Sequence, residues 1–126
     1  MAKGIDISEM YEYKIKDDAE GTVFKLGYLS GPLMLKIGNG WAGDITKENL
    51  SDVMIDLCRY GVRGWTSFKN KNGQDIPCKI EKMESFGKER NVLSQDSLEC
   101  LTQNQIIKIG TEIYRNQILS EQDKKN

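Results

Sequence analysis

Residues 61–80 read GVRGWTSFKNKNGQDIPCKI, and how this stretch folds decides the architecture of the rest. Two β-prone runs flank Asn72-Gly73, a step suited to a type I′ turn because both central residues tolerate positive φ. Trp65 and Phe68 fall on the first run. On the second, Ile76, Cys78 and Ile80 alternate with Pro77, Lys79 and Glu81, which gives one apolar face. Pro77 has no N–H to donate, so this strand is expected at a sheet edge. The expectation is a hairpin closed at Asn72-Gly73.

Upstream, Leu50, Val53, Met54, Leu57 and Cys58 recur at helical spacing behind Thr46, a suitable N-cap. Gly61 stands where a left-handed C-terminal cap is wanted, so a helix is expected over about 47–60, with Arg59 complementing its dipole. Further back, Tyr11, Tyr13 and Ile15 alternate with charged residues, and residues 22–29 (TVFKLGYL) are β-branched and aromatic, which suggests a second hairpin. Residues 33–37 (LMLKI) fit either a strand or one helical turn. The loop GNGWAG at 38–43 lacks the lysine and hydroxyl of a phosphate loop and reads as a glycine-rich turn.

Downstream, the charged and glycine-interrupted stretch 82–91 reads as a surface loop, and 94–101 as a short helical turn. Thr102 followed by Gln105 fits a capping box that opens a second long helix. Ile106, Ile109, Gly110, Ile113, Tyr114 and Gln117 mark its face, widened by Ile107 and Ile118. These apolar residues cover more circumference than one core-facing stripe needs, so Tyr114, Arg115 and Ile118, with Gly110 as a point of close approach, are the candidate partner-binding residues. Gly110 costs about 1 kcal/mol of helix propensity relative to alanine. Such a cost fits close packing by a partner or by this domain's own elements. The fold class expected is α+β, with antiparallel hairpins packed on two main helices in one small domain, 1–119, followed by a flexible tail at 120–126. Leu50, Met54, Leu57, Trp65 and Ile76 are expected in the core.

Composition narrows the function classes. The chain has 126 residues, 18 Lys plus Arg against 19 Asp plus Glu, and a net charge of -1, so no global field draws it to nucleic acid or an anionic membrane. With no histidine, Ser-His and Cys-His nucleophiles and most catalytic zinc sites are excluded. Cys58, Cys78 and Cys100 are widely spaced and form no CxxC pair, as expected of reduced thiols. No stretch reaches the roughly 20 apolar residues of a membrane helix, and no signal peptide is evident. Residues 70–75 (NKNGQD) resemble half a calcium loop. Aligned on the glycine, however, its first and twelfth ligand positions fall on Phe68 and Lys79. Trp65 and Phe68 could form a stacking platform, but core packing is the stronger reading. A non-enzymatic protein without metal, cofactor or small-molecule substrate is expected.

The succession RYGVRGW at 59–65, Phe68, Asn72-Gly73, Ile76-Pro77, Val92-Leu93-Ser94 and a closing helix ending in Leu119-Ser120-Glu121 resembles small proteins of tailed-bacteriophage structural modules, of the tail assembly chaperone kind. The resemblance runs from about Leu50 to the C-terminus. It implies a role in tail or virion assembly in the bacterial host cytoplasm, with possible retention in the virion, through self-association or binding of other phage structural proteins. A small phage inhibitor or adaptor that binds a host protein is the alternative.

Overall fold

The computed structural model describes residues 4–16, 18, 21–37 and 49–123, with the backbone alone at 119–123. The expected N-cap Thr46, the GNGWAG loop and the first residues of the expected helix at 47–48 lie outside the described residues. Helix α2 (Leu50–Gly61) runs without a break into strand β3 (Val62–Thr66), which completes a sheet of order β1-β2-β3 with β1 (Met10–Tyr13) and β2 (Val23–Gly27). Both pairings are antiparallel, so the expected N-terminal hairpin is present. Of residues 33–37, ambiguous in sequence, all but Ile37 lie in helix α1 (Gly31–Lys36). The Ser30 hydroxyl accepts the Leu33 N–H at 3.3 Å, and Pro32 starts the first turn with its φ preset.

The 61–80 stretch departs from its reading. Among the described residues its two runs form no ladder beyond an isolated bridge, Lys69 to Asp75, flanked by the Ile76 N–H to Phe68 carbonyl bond at 2.8 Å and the Asn70 N–H to Gln74 carbonyl bond at 2.9 Å. The Gly73 N–H donates to the Asn70 carbonyl at 3.0 Å, and of the two central residues only Gly73 has positive φ (76°), so this is not a type I′ hairpin. The pairing is diverted by short helix α3 (Gln95–Leu98), whose buried Ser97 hydroxyl accepts from the Lys79 N–H and donates to the Pro77 carbonyl. Pro77 is thus held by a helix rather than lying on a strand edge. Ile80 opens β4 (Ile80–Ser85), which pairs with β5 (Lys88–Leu93). The stretch 82–91, expected as a loop, is therefore the regular hairpin. Its two-residue turn, Phe86-Gly87, has φ of 52° and 77°, the geometry expected for Asn72-Gly73.

Helix α2 buries Val53, Met54, Leu57, Cys58, Tyr60 and Gly61. Leu50, expected in the core, is 40% exposed, and Ile76 is only half-buried. Gly61 ends α2 without a left-handed φ. Its need is space, since a Cβ there would come within 2.6 Å of the Ile113 Cδ1 atom.

Ile113 belongs to α4 (Gln103–Asp123), which opens with the expected capping box: Gln105 Oε1 accepts from the Thr102 N–H at 2.8 Å, and Thr102 Oγ1 accepts from the Gln105 N–H at 3.1 Å. The helix continues through Ser120, where a tail was expected to begin. Ile109 and Ile113 are fully buried, and α4 packs along α2. Gln117 is equally buried, its Oε1 accepting from the Leu29 N–H at 3.2 Å and its Nε2 donating to the Leu29 carbonyl at 2.9 Å. One side chain thus serves both backbone groups of the middle residue of the link between β2 and α1.

Candidate functional site

The ladder between β2 and β3 builds the most site-like feature. Lys25 pairs with Gly64 and Leu26 with Val62, so Arg63 is an extra residue opposite no partner, a β-bulge. The bulge breaks the strand's alternation: Val62 and Trp65 are both buried, three positions apart, while Arg63 between them is swung out of the ladder. Gly27 across the sheet admits the side chain, because a Cβ at Gly27 would overlap the Arg63 Nε. Arg63 Nη2 donates to the Tyr28 carbonyl at 3.1 Å, and its buried Nε has no acceptor among the described residues.

Arg63 lines a cavity of about 230 Å³ between the sheet body and the β4–β5 hairpin. Tyr28, Ser30 and Tyr60 line it from the body, and Lys88, Glu89, Arg90 and Asn91 from the hairpin. Arg63, Lys88 and Arg90 are thus the cationic residues that line it and Glu89 the acidic one, and Glu89 pairs with Lys82 at 3.7 Å. Among the described residues none of the three makes an ion pair with a carboxylate. Burial pushes the Arg63 guanidinium below its ordinary value. A guanidinium nevertheless stays protonated, so its charge is a permanent feature of the cavity.

At the hairpin tip, half-exposed Phe86 leans on Tyr60, with ring centroids 6.3 Å apart. A bulky residue at positive φ is unusual, and this ring contact holds it beside the cavity wall.

The residues singled out in sequence are arranged differently. Gly110 is buried against α2, and a Cβ there would come within 2.6 Å of Met54 Sδ and 3.2 Å of the Met54 carbonyl oxygen. Its glycine accommodates the domain's own helix. Tyr114 is half-buried against the core, Ile118 is half-buried, and exposed Arg115 pairs with Glu112 at 2.7 Å. These residues line neither the Arg63 cavity nor the one beside Trp65. Trp65 and Phe68 are core: with Phe24 they form edge-on ring contacts at 5.0–6.1 Å, and Trp65 Nε1 donates to the Ile76 carbonyl at 2.7 Å. In the half calcium loop, Asn70 Oδ1 accepts from the Asn72 and Gln74 N–H groups and is committed to the turn. A second cavity borders Trp65 and Ser67, but its cation, Lys69, already pairs with Asp75 at 3.3 Å.

Arg63 went unmarked as a site residue in the sequence. The available signal was Gly64 directly after it, since a glycine inside a strand often marks a bulge. Comparison with known proteins gives no further guide. No protein-family model, curated protein or solved structure matches the chain. No helix among the described residues is long and apolar enough to cross a membrane.

Proposed function

We propose that this chain is a non-enzymatic binding protein of a tailed bacteriophage, acting in tail or virion assembly by docking on another phage structural protein through the Arg63 cavity. The observation that carries the binding role is the half-buried Arg63 guanidinium, which lines a cavity without a carboxylate partner among the described residues. Taking a cation out of water is unfavourable unless an anion or a full set of acceptors compensates it, and a docked partner would supply one. Arginine is also enriched at the energetic centres of interfaces, as are aromatic residues such as those flanking this cavity. The phage setting rests on the sequence resemblance from about Leu50 onward. The same reading has the protein act in the bacterial host cytoplasm.

The test is co-expression of the tagged protein with each structural protein of its own genome, followed by co-purification. One structural protein should copurify with wild type and be lost with a folded Arg63→Gln variant. Stable complex formation with a host protein, and with no structural protein, would overturn the assembly role in favour of an inhibitor or adaptor.

A further inference from the structure

We propose that the ligand of the Arg63 cavity is a carboxylate, presented by an acidic side chain of the docking polypeptide. This rests on the reading of the cavity as a binding site and names the chemistry it recognises. Charge selects an anion: Arg63, Lys88 and Arg90 line the cavity, and its own acid, Glu89, is paired with Lys82. Size then limits the anion. A volume of about 230 Å³ holds roughly eight waters at about 30 Å³ each, enough for one acidic side chain and below the roughly 300 Å³ at which small-molecule pockets begin.

The chemistry fits as well. A guanidinium presents a planar array of donors matched to a planar carboxylate, and Arg63 is fixed in place by its Nη2 bond to the Tyr28 carbonyl and by its seat over Gly27. Arg90 is held in turn by its Nε bond to the Ser85 carbonyl at 3.2 Å. Preorganised cations lose little side-chain freedom on meeting an anion. Lys88, exposed on the hairpin, adds attraction without being fixed.

The experiment is a nuclear magnetic resonance titration of the full chain with N-acetyl-glycyl-glutamate amide, its glutamine counterpart, and inorganic phosphate. The acidic dipeptide should shift the Arg63 Nε–H signal and the amides of residues 88–91 saturably, whereas the glutamine peptide should not. Arg63→Gln should weaken binding by about tenfold or more, the loss expected for a hydrogen bond to a charged group. Lys88→Gln, on the exposed hairpin, should weaken it by a smaller factor and lower its salt dependence, which keeps the test open if the Arg63 variant fails to fold. Tighter saturation of the same signals by phosphate would overturn the carboxylate assignment and make the site a phosphate site. No shift with any of the three would overturn the anion site itself. Dipeptide binding without co-purification of any structural protein would leave the site standing and remove the assembly role alone.

Discussion

Gln117 is the most informative residue to replace. It is 1% exposed, and its amide bonds both the N–H and the carbonyl of Leu29. Gln117→Leu keeps the side chain's approximate size while leaving both backbone groups without that partner. Each buried group deprived of its bond costs about 1–3 kcal/mol, so the pair costs about 2–6 kcal/mol. The more apolar leucine offsets this by about 1–2 kcal/mol, within what burying such a side chain contributes. The central values leave a net loss of about 2.5 kcal/mol, which at a urea slope of about 2 kcal/mol/M lowers the unfolding midpoint by roughly 1 M.

Gln117→Glu adds a pH signature. The carboxylate can accept from the Leu29 N–H, but only the protonated acid can donate to the Leu29 carbonyl. Its folded pKa is therefore raised above the unfolded value of about 4.3. The stabilising contribution is then present below that value and lost as pH rises through the folded pKa, so the variant should approach wild type on acidification. A Gln117→Leu midpoint indistinguishable from wild type in urea unfolding followed by circular dichroism would refute the bridging role.

Trp65→Ala removes a buried ring packed on Phe24 and Phe68 and should cost about 3–5 kcal/mol in chemical denaturation. With the thiols of Cys58 and Cys78 pushed by burial up to about 12 and about 11, iodoacetamide at pH 8 should label exposed Cys100 first and Cys58 at least about 100-fold more slowly, as peptide mass mapping would show. Asp56 is half-buried, and its pKa is raised first by burial and then by the Asp52 charge, against Arg59. Its ionised form is thus disfavoured in the folded state, and Asp56→Asn should raise the melting temperature at pH 7 slightly, by less than about 1 kcal/mol in stability because water screens the site. That gain should vanish below about pH 4, near the ordinary aspartate value.

The parts of the fold legible in sequence are those where one local rule decides. The capping box at Thr102 and Gln105, the apolar stripe of α2 and the β1–β2 pairing each follow from residues close together in the chain. The β4–β5 hairpin was hidden because all but Met83 and Ser85 of β4 are exposed, so no apolar alternation announces it. Its turn begins with Phe86, where asparagine or glycine is usual. Asn72-Gly73 carried the better turn signal but lost the competition for Ile80, which pairs with Leu93 while Ser97 engages the Pro77–Lys79 backbone. Those contacts join segments about 20 residues apart, beyond the reach of turn propensity. The candidate site was missed for a related reason. Arg63 becomes distinctive only through its pairing register with β2, and Gly27 matters only because Arg63 lies over it.

The bulge also makes the fold and the cavity separately editable. With Arg63 struck out of the chain, Val62, Gly64 and Trp65 would stand opposite Leu26, Lys25 and Phe24 in unbroken succession, and ordinary in-out alternation would return both apolar residues to the core. The guanidinium therefore occupies a position that strand pairing does not use. A one-residue deletion there is gentler on the sheet than most deletions inside a strand, which shift every following side chain to the opposite face. A chain lacking residue 63 is thus the natural scaffold into which a different side chain could later be inserted, giving the cavity a new selectivity with the core left as it is.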